Sequence, residues 1–156
     1  MSERIDAVRW VRRTPPWVVV LVGVYAAGLL VGTVTHVSDL VRHGLHPYAW
    51  APDWLNLYWT ALAFLDPLAA VLLVAGRPRG LDLACLIVAT DLAANFYATY
   101  AIQHLDVGSA PGLQRLTVFT LLLLATAPLV RRHLAGTSQA PRRAGRRQAP
   151  PAPEDG

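Results

Sequence analysis

The chain lacks lysine altogether, has one cysteine, and carries few charges for its length. With Cys85 alone, an intrachain disulfide, a CxxC redox pair and a cysteine-built zinc site are all excluded. Charged residues make up 15% against 54% hydrophobic, and the mean hydropathy is +0.36, too apolar for an ordinary soluble domain of this size. No glycine-rich phosphate loop and no nucleophile paired with a base is present, so nothing points to nucleotide chemistry or hydrolysis. All fourteen basic residues are arginine, and Ala, Leu, Val and Pro are heavily used, which reads as the GC-rich coding of a bacterium.

What is present is a set of long apolar runs. A helix rising about 1.5 Å per residue needs about 20 apolar residues to cross a hydrocarbon core of about 30 Å. Four stretches reach that length, at about 17–37, 55–75, 81–102 and 114–133. Backbone groups in lipid must be satisfied within a segment, which makes these runs helices, and the ten-residue alternation of a membrane barrel is missing. The expected fold class is all-α: an integral membrane four-helix bundle, antiparallel and up-down, occupying 15–133. The first run exceeds the 7 to 15 residues usual for a signal-peptide core and lacks a small-x-small site after it, so it is read as a retained span.

Orientation follows from arginine placement. Twelve of the fourteen fall before the first run, between the second and third, or after the fourth; only Arg42 and Arg115 lie on the other side. Both termini are therefore expected to be cytoplasmic, in a multi-pass protein of the bacterial plasma membrane. Trp10, Trp17, Trp50, Trp54, Tyr48, Tyr58 and Trp59 sit at predicted helix ends, where interfacial aromatics belong. The sequence pI of about 9.8 comes from these topology signals and does not indicate a nucleic-acid partner. Residues 1–14 form a basic N-terminal segment in which Ile5, Val8 and Val11 could line one face of a short surface turn. Residues 134–156, rich in Pro, Gly, Ala and Arg without apolar periodicity, are expected to be a disordered cytoplasmic tail beside membrane lipids.

The chemistry is concentrated in two aspartates inside the apolar runs. Asp66 and Asp91 lie 11 and 10 residues into the second and third runs, and counting from each helix start puts both near the bilayer midplane at one depth. A charged aspartate there costs about 2.5 to 3.5 kcal/mol, so it should face the bundle interior or carry a proton. Asn56, Trp59, Ala63 and Asp66 share one helical stripe, and Val88, Asp91, Asn95 and Thr99 share another. Pro67 removes the donor that the Ala63 carbonyl would receive, which predicts a kink or small cavity. Two neighbouring carboxylates disfavour a second charge, so the pair is expected to hold one proton or bind a cation. The alternative is structural: a neutral Asp66 bonded to Asn95 or Thr60 as an interhelical contact.

Gly28, Gly32 and His36 recur every fourth residue in the first run, a GxxxG surface suited to close helix packing or homo-oligomer formation. His36 and Asp39, three apart, are expected to pair at the mouth of the bundle. His43-x-x-His46 has ligand spacing, but histidines at span boundaries do not suit haem, and these are read as ordinary polar residues with no metal and no cofactor.

The polar end of the first run, "THVSDLV", the outer loop "HPYAWAPDWLNLYW" and the acidic residue beside proline in "FLDPLAAVL" resemble the EXPERA group, which contains the sigma-2 receptor and emopamil-binding sterol isomerases. The resemblance implies a four-helix fold and a pocket for cationic amphiphiles or sterol intermediates, with Asp39 and Asp66 in the carboxylate positions. The expected site residues are thus Asp66, Asp91, Asn95, His36, Asp39, Trp59 and Thr99. The favoured reading is a protein that binds a small lipophilic or cationic ligand, without assigned catalysis. Proton-coupled transport, membrane-embedded isomerisation and a purely structural role stay open.

Overall fold

The computed structural model describes residues 10–12 and 14–146. Its helices are α1 (Pro16–His43), α2 (Asp53–Val74), α3 (Pro78–Tyr97) and α4 (Pro111–Arg146). A π-helical turn, Ala98–Ile102, prolongs α3, and a 3-10 turn, Val107–Ser109, precedes α4. Pro16, Pro78 and Pro111 open three of these helices, and Pro52 caps α2, as expected where an N–H has no intrahelical partner anyway. Four stretches, Pro16–His43, Asp53–Val74, Pro78–Ile102 and Pro111–Ala135, are long and apolar enough to cross a membrane.

Several boundaries differ from the sequence expectation. α1 runs six residues past 37, so Asp39 lies on the helix, which stops where Gly44 adopts φ +75° and donates its N–H to the Leu40 carbonyl. α4 continues to Arg146, where a disordered tail from 134 was expected. A helix already nucleated by a span extends with one hydrogen bond gained per residue, and polar composition alone does not stop it. Pro67 lies inside α2 without ending it. Ile5, Val8 and residues 147–156, the rest of the predicted surface turn and tail, lie outside the described residues.

Small residues set the helix contacts. A Cβ at Gly80 would lie 2.6 Å from the Leu73 backbone nitrogen, so α2 and α3 cross where only glycine fits. Farther along, Tyr58 meets Thr90, Trp59 meets Asp91 and Trp54 meets Tyr97, which fixes the register of this pair. α4 meets α3 through Thr120, whose hydroxyl donates to the Val88 carbonyl at 3.3 Å. It meets α1 through Phe119 on Gly28, a Tyr25–Thr126 hydroxyl pair, and the Trp17 and His133 rings edge to face at 5.3 Å. The core is filled by Val18, Leu55, Leu62, Leu73, Leu81, Leu123 and Val130, while Val20, Val31, Phe64, Val71 and Val118 point outward, an apolar exterior that suits lipid.

Trp10 departs from its expected role as an interfacial aromatic. It is buried, its indole N–H donates to the Val74 carbonyl at 2.9 Å, and its ring covers Gly76, which has φ +68°. The last carbonyls of a helix lack partners, and Trp10 supplies one at the end of α2. We call this the turn end of the bundle; the end carrying residues 44–52 is the loop end.

Candidate functional site

Asp91 is the better-supported carboxylate. Its Oδ1 accepts from Trp59 Nε1 at 3.2 Å and from Asn95 Nδ2 at 2.9 Å, and the same Asn95 amide donates to the Asp91 carbonyl at 2.9 Å. The stripe of α3 thus folds Asn95 back onto Asp91, and α2 delivers Trp59 from across the interface. Two N–H donors aimed at one oxygen suit an ionised carboxylate.

Asp66 is built differently. It is only 3% exposed, and its Oδ1 is buried without a hydrogen-bond partner. Neither structural partner considered from the sequence is engaged: the Asn95 amide is committed to Asp91, and the Thr60 hydroxyl is itself buried and unpartnered. On its other side Asp66 presses on α1, where a Cβ at Gly32 would lie 2.5 Å from Oδ2. Gly32 is the space into which the carboxyl fits, and Gly28 makes room for Phe119. Both glycines of the predicted association surface are therefore engaged inside the chain.

The two carboxylates are not at one depth. Trp59 marks the level of Asp91 on α2, and Asp66 follows it by seven residues, about 10 Å along the axis. The expectation failed because depths were counted from each helix start, whereas two helices joined by a tight turn must be counted from that turn. Asp66 precedes Val74 by eight residues, while Asp91 follows Pro78 by thirteen. Helical side chains lean toward their own N-terminus, so Asp66 leans toward the loop end and Asp91 toward the turn end. They incline toward each other and interact electrostatically.

At the loop end lies a hub that sequence reasoning missed. The Tyr48 hydroxyl donates to Asp39 Oδ2 at 2.7 Å and lies 3.3 Å from His36 Nδ1, so His36 and Asp39 meet through Tyr48 and not as the expected direct pair. Asn56, buried at the start of α2, fixes the loop: its amide donates to the Leu45 carbonyl at 3.1 Å and its oxygen accepts the Tyr48 N–H at 3.1 Å. Tyr48 then packs on Trp59 with ring centroids 4.7 Å apart, and Trp50 lies 5.9 Å from Trp59. Burial, the hydrogen bond to Asp39 and the charges of Asp39 and Asp91 all push the Tyr48 phenol well above its ordinary value. The only earlier signal for Tyr48 was its aromatic character near a helix end, because a loop-closing contact leaves no periodic trace.

Thr99 is buried in the π-helical turn, where its carbonyl accepts the Leu105 N–H. It lies eight residues beyond Asp91, about 12 Å nearer the loop end, outside both clusters. His43 and His46 are exposed, His46 lying 3.8 Å from Asp53, and among the described residues no three His, Cys, Asp or Glu side chains gather as metal ligands. Asp82, also overlooked in the sequence, forms a two-pronged pair with Arg131 at 2.9 and 3.0 Å near the turn end.

Toward the loop end, α2 and α3 leave an open groove of about 350 Å³ lined by Trp54, Tyr58, Thr90, Ala93, Ala94 and Tyr97, a lining that includes neither Asp66 nor Asp91. The Tyr58 and Thr90 hydroxyls bond each other at 2.8 Å, which leaves an apolar groove wall. Compared with known proteins, no family model, no curated protein and no solved structure matches this chain.

Proposed function

We propose that this four-helix membrane protein binds positive charge at its intramembrane carboxylates: a proton at Asp66 and the head of a small lipophilic cation at Asp91. The observation that carries the reading is Asp66 itself, nine-tenths buried with a carboxyl oxygen that no described group satisfies. A buried acceptor without a partner costs about 1 to 3 kcal/mol, and more if charged, so the site is built for an occupant that brings a donor or a charge. A proton needs no volume, which suits a carboxyl packed against Gly32. Asp91, pre-oriented by Trp59 and Asn95, is the anchor for an organic cation, and the groove lined by its chain neighbour Thr90 would take the apolar part.

The antiparallel up-down arrangement with cytoplasmic termini in a bacterial plasma membrane belongs to the same proposal. The pairings of Tyr58 with Thr90 and of Tyr25 with Thr126 support the former, and the arginine distribution the latter. The EXPERA resemblance would assign Asp39 together with Asp66; the geometry favours Asp91, because Asp39 Oδ2 is occupied by Tyr48. The test is photolabelling by a lipophilic tertiary amine, read with carbodiimide modification, which requires a protonated carboxyl. Asp91→Asn should abolish amine labelling and Asp66→Asn should abolish carbodiimide labelling, with both variants folded. Unchanged labelling in both would return the aspartates to a structural role.

A further inference from the structure

Among the described residues, the interior of the bundle is more polar on one side of Asp66 than on the other. Toward the loop end the buried and half-buried polar groups form two hydrogen-bonded clusters, Asp91 with Trp59 and Asn95, then Tyr48 with His36, Asp39 and Asn56, which meet where the Tyr48 and Trp59 rings pack 4.7 Å apart. Toward the turn end no comparable cluster follows among the described residues. Among the described residues, the side chains buried there are mostly apolar, such as Val18, Val22, Leu73, Leu81, Leu123 and Val130, and the few polar ones are already bonded: Tyr25 to Thr126, Thr14 to the Trp10 carbonyl, and Trp10 to Val74. Gly80, seated against the backbone of Leu72 and Leu73, brings α2 and α3 into close contact at this end.

A proton crosses a protein along hydrogen-bonding groups or water, and an apolar packed layer provides neither. We infer that Asp66 exchanges its proton with the loop end of the bundle alone, on the side where Asp91 and Tyr48 supply polar groups for water to bridge, and is sealed from the turn end. The protein is thereby a one-sided proton acceptor within the membrane, a half-pathway that senses the pH of one compartment. This rests on the proton-binding reading of Asp66 and adds its direction.

The groups that face Asp66 set the response. From α3 comes Asp91; from α2, Tyr58, bonded to Thr90; from α1, the uncharged Gly32, with His36 and Asp39 farther out and engaged by Tyr48. On α4 the cation Arg131 is paired with Asp82 near the turn end.

The experiment uses the full chain in lipid vesicles with different pH inside and out. Brief trypsin treatment removes the arginine-rich C-terminal segment only from molecules whose turn end faces the bath, since His133 and Arg131, which precede it on α4, lie beside Trp17 and Asp82. Intact-protein mass spectrometry then separates the two orientations and reads dicyclohexylcarbodiimide addition in each. With an acidic lumen and an alkaline bath, clipped molecules should be modified at Asp66 and unclipped ones should not; reversing the gradient should reverse the pattern, and Asp66→Asn should remove the addition. Equal modification of both populations, or modification that follows the turn-end pH, overturns one-sided access while leaving proton binding intact. No Asp66 modification at any pH would overturn proton binding itself.

Discussion

The contact between Gly32 and Asp66 can be tested against a built-in control on the same helix. In Gly32→Ala the new methyl would lie 2.5 Å from Asp66 Oδ2, closer than real Cβ contacts allow, and the carboxyl is too enclosed, at 3% exposure, to swing into solvent. Overpacking of this kind costs about 1 to 3 kcal/mol, offset by up to about 1 kcal/mol from replacing a helical glycine with alanine. Gly32→Ala should therefore destabilise by about 1 to 2 kcal/mol. Gly23→Ala, with nothing within 4 Å of the added methyl, should be neutral or slightly stabilising. Asp66→Ala removes the obstructing oxygen, so in the double variant the Gly32→Ala penalty should vanish, a coupling of about 1 to 3 kcal/mol. Unfolding in detergent micelles followed by circular dichroism supplies the four free energies. If the two substitutions add within about 0.5 kcal/mol, Gly32 is not the seat of Asp66 and the packing argument fails.

Three further outcomes follow from the ends of the bundle. Asn56→Ala removes two hydrogen bonds that pin the loop and should cost about 1 to 3 kcal/mol, with faster amide hydrogen exchange confined to 44–52; unchanged exchange there would refute the clasp. Because the folded protein raises the Tyr48 phenol above the roughly 10 of an unfolded tyrosine, it keeps a proton that the unfolded chain releases; stability should be unaffected below about pH 10 and fall above it. Tyr48→Phe should flatten that alkaline decline in thermal melts, and an unaltered slope would place the burden elsewhere. Gly76→Ala meets both a left-handed φ and the Trp10 ring at 2.8 Å, so it should destabilise by about 1 to 2 kcal/mol and shift Trp10 fluorescence to the red; a folded variant with unshifted emission would contradict the docking of Trp10.

The aspartates show where sequence reasoning reached and where it stopped. Four spans and their polar stripes follow from lengths and periodicity, because a helix repeats every 3.6 residues and lipid demands about 20 of them. The same periodicity brought Asn95 to Asp91, one turn apart on one helix. Trp59 was placed on the right face of α2, yet its partner depends on the register between helices, and register is decided by Gly80 and the turn before it. A shift of one turn in that packing would have paired Trp59 with Asn95 or Ile87 instead. Tyr48 was beyond reach for a further reason: its position is held by Asn56, Asp39 and His36 from two helices, and no local pattern encodes a contact made by loop closure. The asymmetry that gives Asp66 its direction arises from both kinds of information together. The aspartate's insertion into an apolar run was visible in the chain, but the polar clusters on one side of it and the apolar packing on the other exist only once register and loop are fixed. Substituting residues on the sealed side should therefore leave proton exchange unchanged unless they admit water, whereas substitutions at Tyr48 or Asp91 should slow it.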